Sequence, residues 1–261
     1  MRSSNKRVSL SVGIVCALAV AATSAIVAAP TPPGTEIQAA AEAEYSTPGG
    51  DQMPTTTSNT VIVTVDYPSS ISIGAAKTLQ DGQFVQLVPN VVTGGTAEIV
   101  GAFYIEAADR SAGIRVATSQ TVREGDRATV SGSLATLNGE RRINAMNVAI
   151  VSSGNTLPGP LGMIQGSFGT GLDSTGLLMK LWGRVTAAPS GSGYFYLDDG
   201  SALNDDSAYT GIRILGAPPN DPGSKYLAVI GIAGVEMLGS WPIRAIRTRR
   251  AADIVVVGSV P

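Results

Sequence analysis

The 261-residue chain contains no histidine and a single cysteine, Cys16, which sits in an apolar stretch near its start. Without histidine the commonest general base, the usual zinc ligand and the Ser-His and Cys-His nucleophile pairs are all missing. Few enzyme mechanisms are left, so the sequence points to a non-catalytic protein without cofactor or metal. One cysteine also excludes an internal disulfide framework, and stability has to come from buried apolar area. A surplus of either charge is missing too. Residues 74–151 carry seven Lys plus Arg against seven Asp plus Glu, and residues 172–261 carry eight of each. Modules this balanced lack the basic footprint that drives sequence-blind binding to DNA.

At the amino terminus, Arg2, Lys6 and Arg7 precede an almost unbroken apolar run over residues 8–29, the pattern of a secretory signal peptide. The expected leader is residues 1–41, with small-residue cleavage points at Val27-Ala28-Ala29 or Ala39-Ala40-Ala41. An uncleaved anchor is the alternative, since the run is about long enough to span a bilayer. Cys16 lacks the leucine expected three residues before a lipid-bearing cysteine, which argues against lipid attachment. The expected location is therefore extracytoplasmic, with no stable membrane insertion after leader cleavage. Residues 42–73 read as a flexible spacer holding one short strand-like run, VIVTV at residues 61–65, that either pairs with the first module or forms an isolated edge.

The rest of the chain is organised around a stretch that occurs twice. Residues 101–116, GAFYIEAADRSAGIRV, return as residues 193–215, GYFYLDDGSALNDDSAYTGIRIL. Each copy is an apolar strand with an aromatic pair (Phe103-Tyr104, Phe195-Tyr196), a carboxylate, a polar turn, and a return strand beginning Gly-Ile-Arg. Around it, residues 74–151 predict five strands at 83–92 (broken at Pro89), 102–107, 113–118, 128–137 and 141–151. Residues 172–261 repeat the order at 177–186, 194–198, 210–215, 226–235 and 243–257. Asn138-Gly139 and Gly239-Ser240 mark hairpin turns, Gly132 and Gly231 mark a bend in each fourth strand, and residues 141–145 line up with 241–245. A Gly/Pro/Ser-rich connector at residues 152–171 separates the modules.

Five short strands in each module fit a small all-β Greek-key barrel. The segments FYIEAADRSAGIRV, GDRATVSGSLATLNGERRINA, GLLMKLWGRV, GYFYLDDGS and TGIRI resemble the OB-fold modules of secreted, largely uncharacterised bacterial proteins. The resemblance implies two tandem five-stranded barrels that meet an oligosaccharide or a single-stranded nucleic acid on the face of their second and third strands. The helix that usually joins the third and fourth strands of that fold is not evident in either copy.

Alternation along the strands sends Phe103, Ile105, Ile114 and Val116 inward in the first copy and Phe195, Leu197, Ile212 and Ile214 inward in the second. Tyr104, Glu106 and Arg115, then Tyr194, Tyr196, Asp198 and Arg213, share the outer faces. The candidate ligand-binding residues are therefore Tyr104, Arg115, Tyr194, Tyr196 and Arg213, with rings for stacking and guanidinium groups for hydrogen bonds. The competing reading is an ordinary cross-strand pair in which the Arg stem covers the Tyr ring. Arg244, Arg247, Arg249 and Arg250 form a basic patch that binds phosphate or an anionic glycan, or else is a solvated strand face. The oxygen-rich loop at residues 198–206 offers calcium ligands without EF-hand spacing. Trp182 and Trp241 read as core or barrel-end packing. Two roles follow: recognition of an extended polymer, or a structural or adaptor role through contacts with an envelope protein.

Overall fold

The structure, a computed structural model, describes residues 34–44, 50–52, 54–167, 171–205 and 207–259. The apolar run, Cys16 and most of the expected leader lie outside these residues, as does Asp206 of the oxygen-rich loop. Among the described residues no helix is long and apolar enough to cross a membrane.

The chain is all-β, with two closed five-stranded barrels in tandem. Ahead of them, β1 (Glu36–Ala39) pairs with β4 (Val61–Thr64), and β2 (Glu42–Ala43) with β3 (Thr56–Thr57). The spacer expectation is corrected here: VIVT finds its partner at residues 36–39, at the end of the expected leader, and not on the first barrel. A short helix α1 (Ile73–Lys77) follows, capped by the Ser72 hydroxyl, which accepts a hydrogen bond from the Ala75 amide. It buries Ile73 and Ala76 into the first core.

The first barrel uses β5 (Phe84–Gln86), β6 (Asn90–Gly94), β7 (Ala102–Glu106), β8 (Gly113–Ala117), β9 (Arg127–Leu137) and β10 (Glu140–Ser152). The ring runs β6-β7-β8-β10-β9 and closes back on β6, with β8 and β10 parallel and the other pairs antiparallel. The expected first strand breaks at Pro89, as its sequence predicts, and β5 and β6 pair separately with β9. Gly132 lies at the bend of β9, beside the register shift at Ala145/Asn147, where a Cβ would sit 2.2 Å from the Asn144 carbonyl oxygen. No α-helix joins β8 to β9.

In the second barrel, β11 (Leu161–Gly162) adds to the edge of β12 (Leu178–Ala187). The ring continues through β13 (Tyr194–Asp198), β14 (Ile212–Leu215), β16 (Trp241–Arg247) and β15 (Lys225–Leu238), and β15 closes it against β12. The order and the parallel third-to-fifth pairing are those of the first barrel. Two expectations about the fifth strand are corrected. The single run at residues 243–257 is two strands, because the backbone turns at residues 251–253 and β17 (Ile254–Ser259) crosses to pair with the first half of β15. The proposed alignment of residues 141–145 with 241–245 is also shifted: Arg142 lies opposite Arg115, but Ala245 and not Pro242 lies opposite Arg213. Phe103, Ile105, Ile114 and Val116 point into one core and Phe195, Leu197, Ile212 and Ile214 into the other, as alternation predicts.

Candidate binding site

The outer face of β7 and β8 is not open. Tyr104 is 0% exposed and clusters with Ile99 and Ala102 of its own barrel and with Leu178 and Ile232 of the second. Its hydroxyl donates to Glu140 Oε1 at 2.6 Å, and Arg115 donates to the other carboxylate oxygen at 3.3 Å. Gly234 of β15 lies over this pair, so close that a Cβ there would stand 3.5 Å from the Tyr104 hydroxyl. Arg247 of β16 also faces the group. Burial works against its charge, and the neighbouring Tyr104, Glu236 and Glu140 outweigh that and hold it protonated. Burial first, and the Glu140 charge second, push the Tyr104 phenol far above its ordinary range. The expectation of a ligand face at Tyr104 and Arg115 is therefore corrected: the second barrel is seated on it.

In the second copy the corresponding face is covered by its own loop. The segment 199–210 is longer in sequence than the equivalent turn at residues 107–112, and Asp205 and Tyr209 from it pack against Tyr196 of β13. Tyr196 is 0% exposed; its hydroxyl donates to Asp205 at 3.2 Å and accepts from Arg213 at 2.6 and 3.0 Å. The Tyr209 ring packs 5.1 Å from that of Tyr196, and the Arg213 guanidinium stacks 4.4 Å from the Tyr194 ring. Tyr196 and Arg213 are thus corrected from ligand contacts to a sealed cross-strand pair, with only Tyr194 half-buried at its margin. The loop carboxylates brace the loop itself: Asp199 accepts from the Gln165 and Ser201 amides, and Asp205 from the Ser207 amide as well as the Tyr196 hydroxyl. Among the described residues no group of three or more metal-ligating side chains gathers.

The basic patch is likewise divided into ion pairs. Arg247 pairs with Glu236, Arg249 with Asp253 (2.9 Å) and Glu124 (3.2 Å), and Arg250 with Glu124. Arg244 is left exposed, without an ion pair to a described residue. One cation does not make a phosphate-binding surface.

What remains open lies on the other side of the second barrel. Inward Met179, Leu181 and Val185 of β12 leave Lys180, Trp182 and Arg184 outward, and β15 sets Tyr226 opposite Arg184. Trp182 is 50% exposed, Tyr226 42% and Trp241, the first residue of β16 after the hairpin turn, 72%, so the reading of the two tryptophans as core is corrected. Lys180 places its ammonium 5.1 Å from the Trp182 ring centre. A cleft of about 780 Å³ runs between these rings and Ile164, rimmed by Arg184, Asp198 and Asp199. Burial alone would raise the Asp199 carboxyl, and its hydrogen bonds from Ser201 and Gln165 hold it below the usual carboxylate range. Arg184 makes no ion pair with a described residue. The cleft therefore offers two exposed rings, one unpaired guanidinium and two carboxylates. The signal for it was in LMKLWGRV, where alternation puts Trp182 on the same face as Lys180 and Arg184. No family model matches the chain, and no curated protein is significantly similar to it.

Proposed function

We propose that this is an exported, non-catalytic binding protein that takes an extended polymer in the Trp182/Tyr226 cleft of its second barrel, and that the polymer is an oligosaccharide. The observation that carries this reading is the pairing of two exposed rings with hydroxyl-binding groups of nearly cancelling charge. Sugar rings stack on aromatic faces, and their hydroxyls donate to carboxylates and accept from a guanidinium. A polyphosphate chain would instead meet Asp198 and Asp199 as like charges, which disfavours single-stranded nucleic acid. Export is supported by the basic and apolar amino terminus. An OB-like duplication is supported by the identical ring order and the shared parallel closure of the two barrels.

The test is a titration of the protein with a panel of neutral and acidic oligosaccharides and with oligothymidylate, read by tryptophan fluorescence and calorimetry. Neutral oligosaccharides bind and oligothymidylate does not. Trp182→Ala weakens binding about tenfold or more, the scale of one lost aromatic stacking contact. An unchanged affinity in Trp182→Ala, or tighter binding of the oligonucleotide, contradicts the reading.

A second reading, adaptor contact with an envelope protein, is favoured by β17. It is the last strand of its sheet, and Val255, Val256 and Val257 are all exposed. An uncovered apolar edge accepts a strand from a partner. Capture of an envelope protein that is lost on Val256→Lys, with no oligosaccharide bound, would favour this role.

A further inference from the structure

Where the barrels meet, one carboxylate stands apart. Glu106, the last residue of β7, is 0% exposed. Its Oε2 accepts a hydrogen bond from the Leu178 amide of β12 at 2.8 Å, across the seam. Its Oε1 is buried without a hydrogen-bond partner among the described residues. Around it the two barrels touch backbone to backbone: a Cβ on Gly113 would lie 2.2 Å from the Gly176 carbonyl oxygen, and one on Gly176 would lie 2.4 Å from the Gly113 carbonyl carbon. Lys77 bridges the same place, donating to the carbonyls of Gly113 and Thr175 while pairing with Asp173 at 2.6 Å. So tight a contact leaves no room to hydrate the carboxylate without parting the barrels.

We infer that Glu106 makes the seam between the two barrels a proton-sensitive joint, closed when its carboxyl is protonated and loosened when it ionises.

The charged groups that face Glu106 are few. Arg110, in the turn after β7, favours the ionised form. Lys77 of α1 is already paired with Asp173, at the start of the second module. Across the ladders, β6 brings Val91 opposite Glu106, and β15 brings Ile232 opposite Leu178. Burial is the largest influence; the Leu178 amide and Arg110 oppose it only in part, and the carboxyl is pushed up from 4.5 to about 7. A value raised by folding means that the closed seam binds the proton more tightly than the open one. The stabilisation is therefore full below about 4.5 and is lost as the pH rises through about 7. This device is independent of the ligand that the cleft takes.

Hydrogen exchange on the full chain tests it, with protection factors corrected for the intrinsic pH dependence of exchange. Between about pH 5 and about pH 8.5 the protection of the Leu178 amide falls on the order of 100-fold, each unit of displacement being worth a factor of ten. The Leu87 and Leu134 amides, bonded inside the first barrel to Val130 and Gln83, change far less. Glu106→Gln keeps an acceptor for Leu178 and flattens the profile. Arg110→Gln, which leaves Glu106 in place, moves the midpoint to higher pH. Flat Leu178 protection in the wild type, an equal fall in Glu106→Gln, or a parallel fall at Leu87 and Leu134 would overturn the inference.

Discussion

Replacing Glu140 with alanine lowers the unfolding free energy by about 3 kcal/mol, the lower end of the range for removing one partner of a buried ion pair. Glu140 is the acceptor on which the seam converges: the Tyr104 hydroxyl and the Arg115 guanidinium both donate to it, and Arg247 of the other barrel faces it. Alanine leaves a buried phenol without an acceptor and the Arg115 guanidinium without its counter-charge, while Arg247 keeps its pair with Glu236. Arg115 keeps about a quarter of its side-chain exposure, which lets water take up part of the loss and argues for the lower end. Tyr104→Phe is milder, because it removes one donor and leaves the charges paired, an effect of roughly 1.5–3 kcal/mol for a hydrogen bond to a charged group. Equilibrium unfolding in urea reads both. A Glu140→Ala protein as stable as wild type would mean that the seam does not form in solution.

Gly176→Ala is expected to lose about as much, roughly 3 kcal/mol, from two additive causes: a positive φ at a residue with a Cβ, and overpacking of the seam. Gly176 has φ +92°, and its Cβ would meet the carbonyl carbon of Gly113, a backbone atom that no rotamer change can move away. The barrels have to separate locally to accept it. Gly159→Ala is the control, since a Cβ there meets nothing within 4 Å and the φ is ordinary. Thermal unfolding should place Gly159→Ala within error of the wild type and Gly176→Ala well below it. Small-angle scattering of the surviving folded fraction should show a larger radius of gyration for Gly176→Ala. Equal melting temperatures for the two variants would contradict the close approach.

The pattern of strands was legible because each depends on near neighbours in sequence. Alternation assigned Phe103, Ile105, Phe195 and Leu197 to the cores, and Asn138-Gly139 closed the β9–β10 hairpin with positive φ at both residues. The fifth strand of the second barrel was harder. Composition could not tell that residues 251–253 turn the chain away, since Ile254 and the valines after it suit either strand equally. The short strands β1, β2 and β3 carry no apolar periodicity, and pairing alone defines them.

The site was less legible, for a physical reason. Alternation tells which side of a strand a residue takes, and it placed Tyr104, Tyr196, Arg115 and Arg213 correctly outside their barrels. It does not tell what the outside meets. A second barrel and a long loop are distant in sequence or free of periodicity, and they turn both outer faces into interior. The same rule applied to β12 exposes Trp182 and Arg184, against the reading of the tryptophan as core or barrel-end packing. An amphipathic ring half in water is where such a residue contacts ligands.

The most direct test is to map which tyrosines of the folded protein are nitrated, because nitration requires an accessible ring that can ionise. The account predicts modification at Tyr67 and Tyr226, which are exposed, and none at Tyr104 or Tyr196 until the protein unfolds. Nitration of Tyr104 in the native state at a rate like that of Tyr226 would mean that the first hairpin faces solvent and the barrels do not seal it.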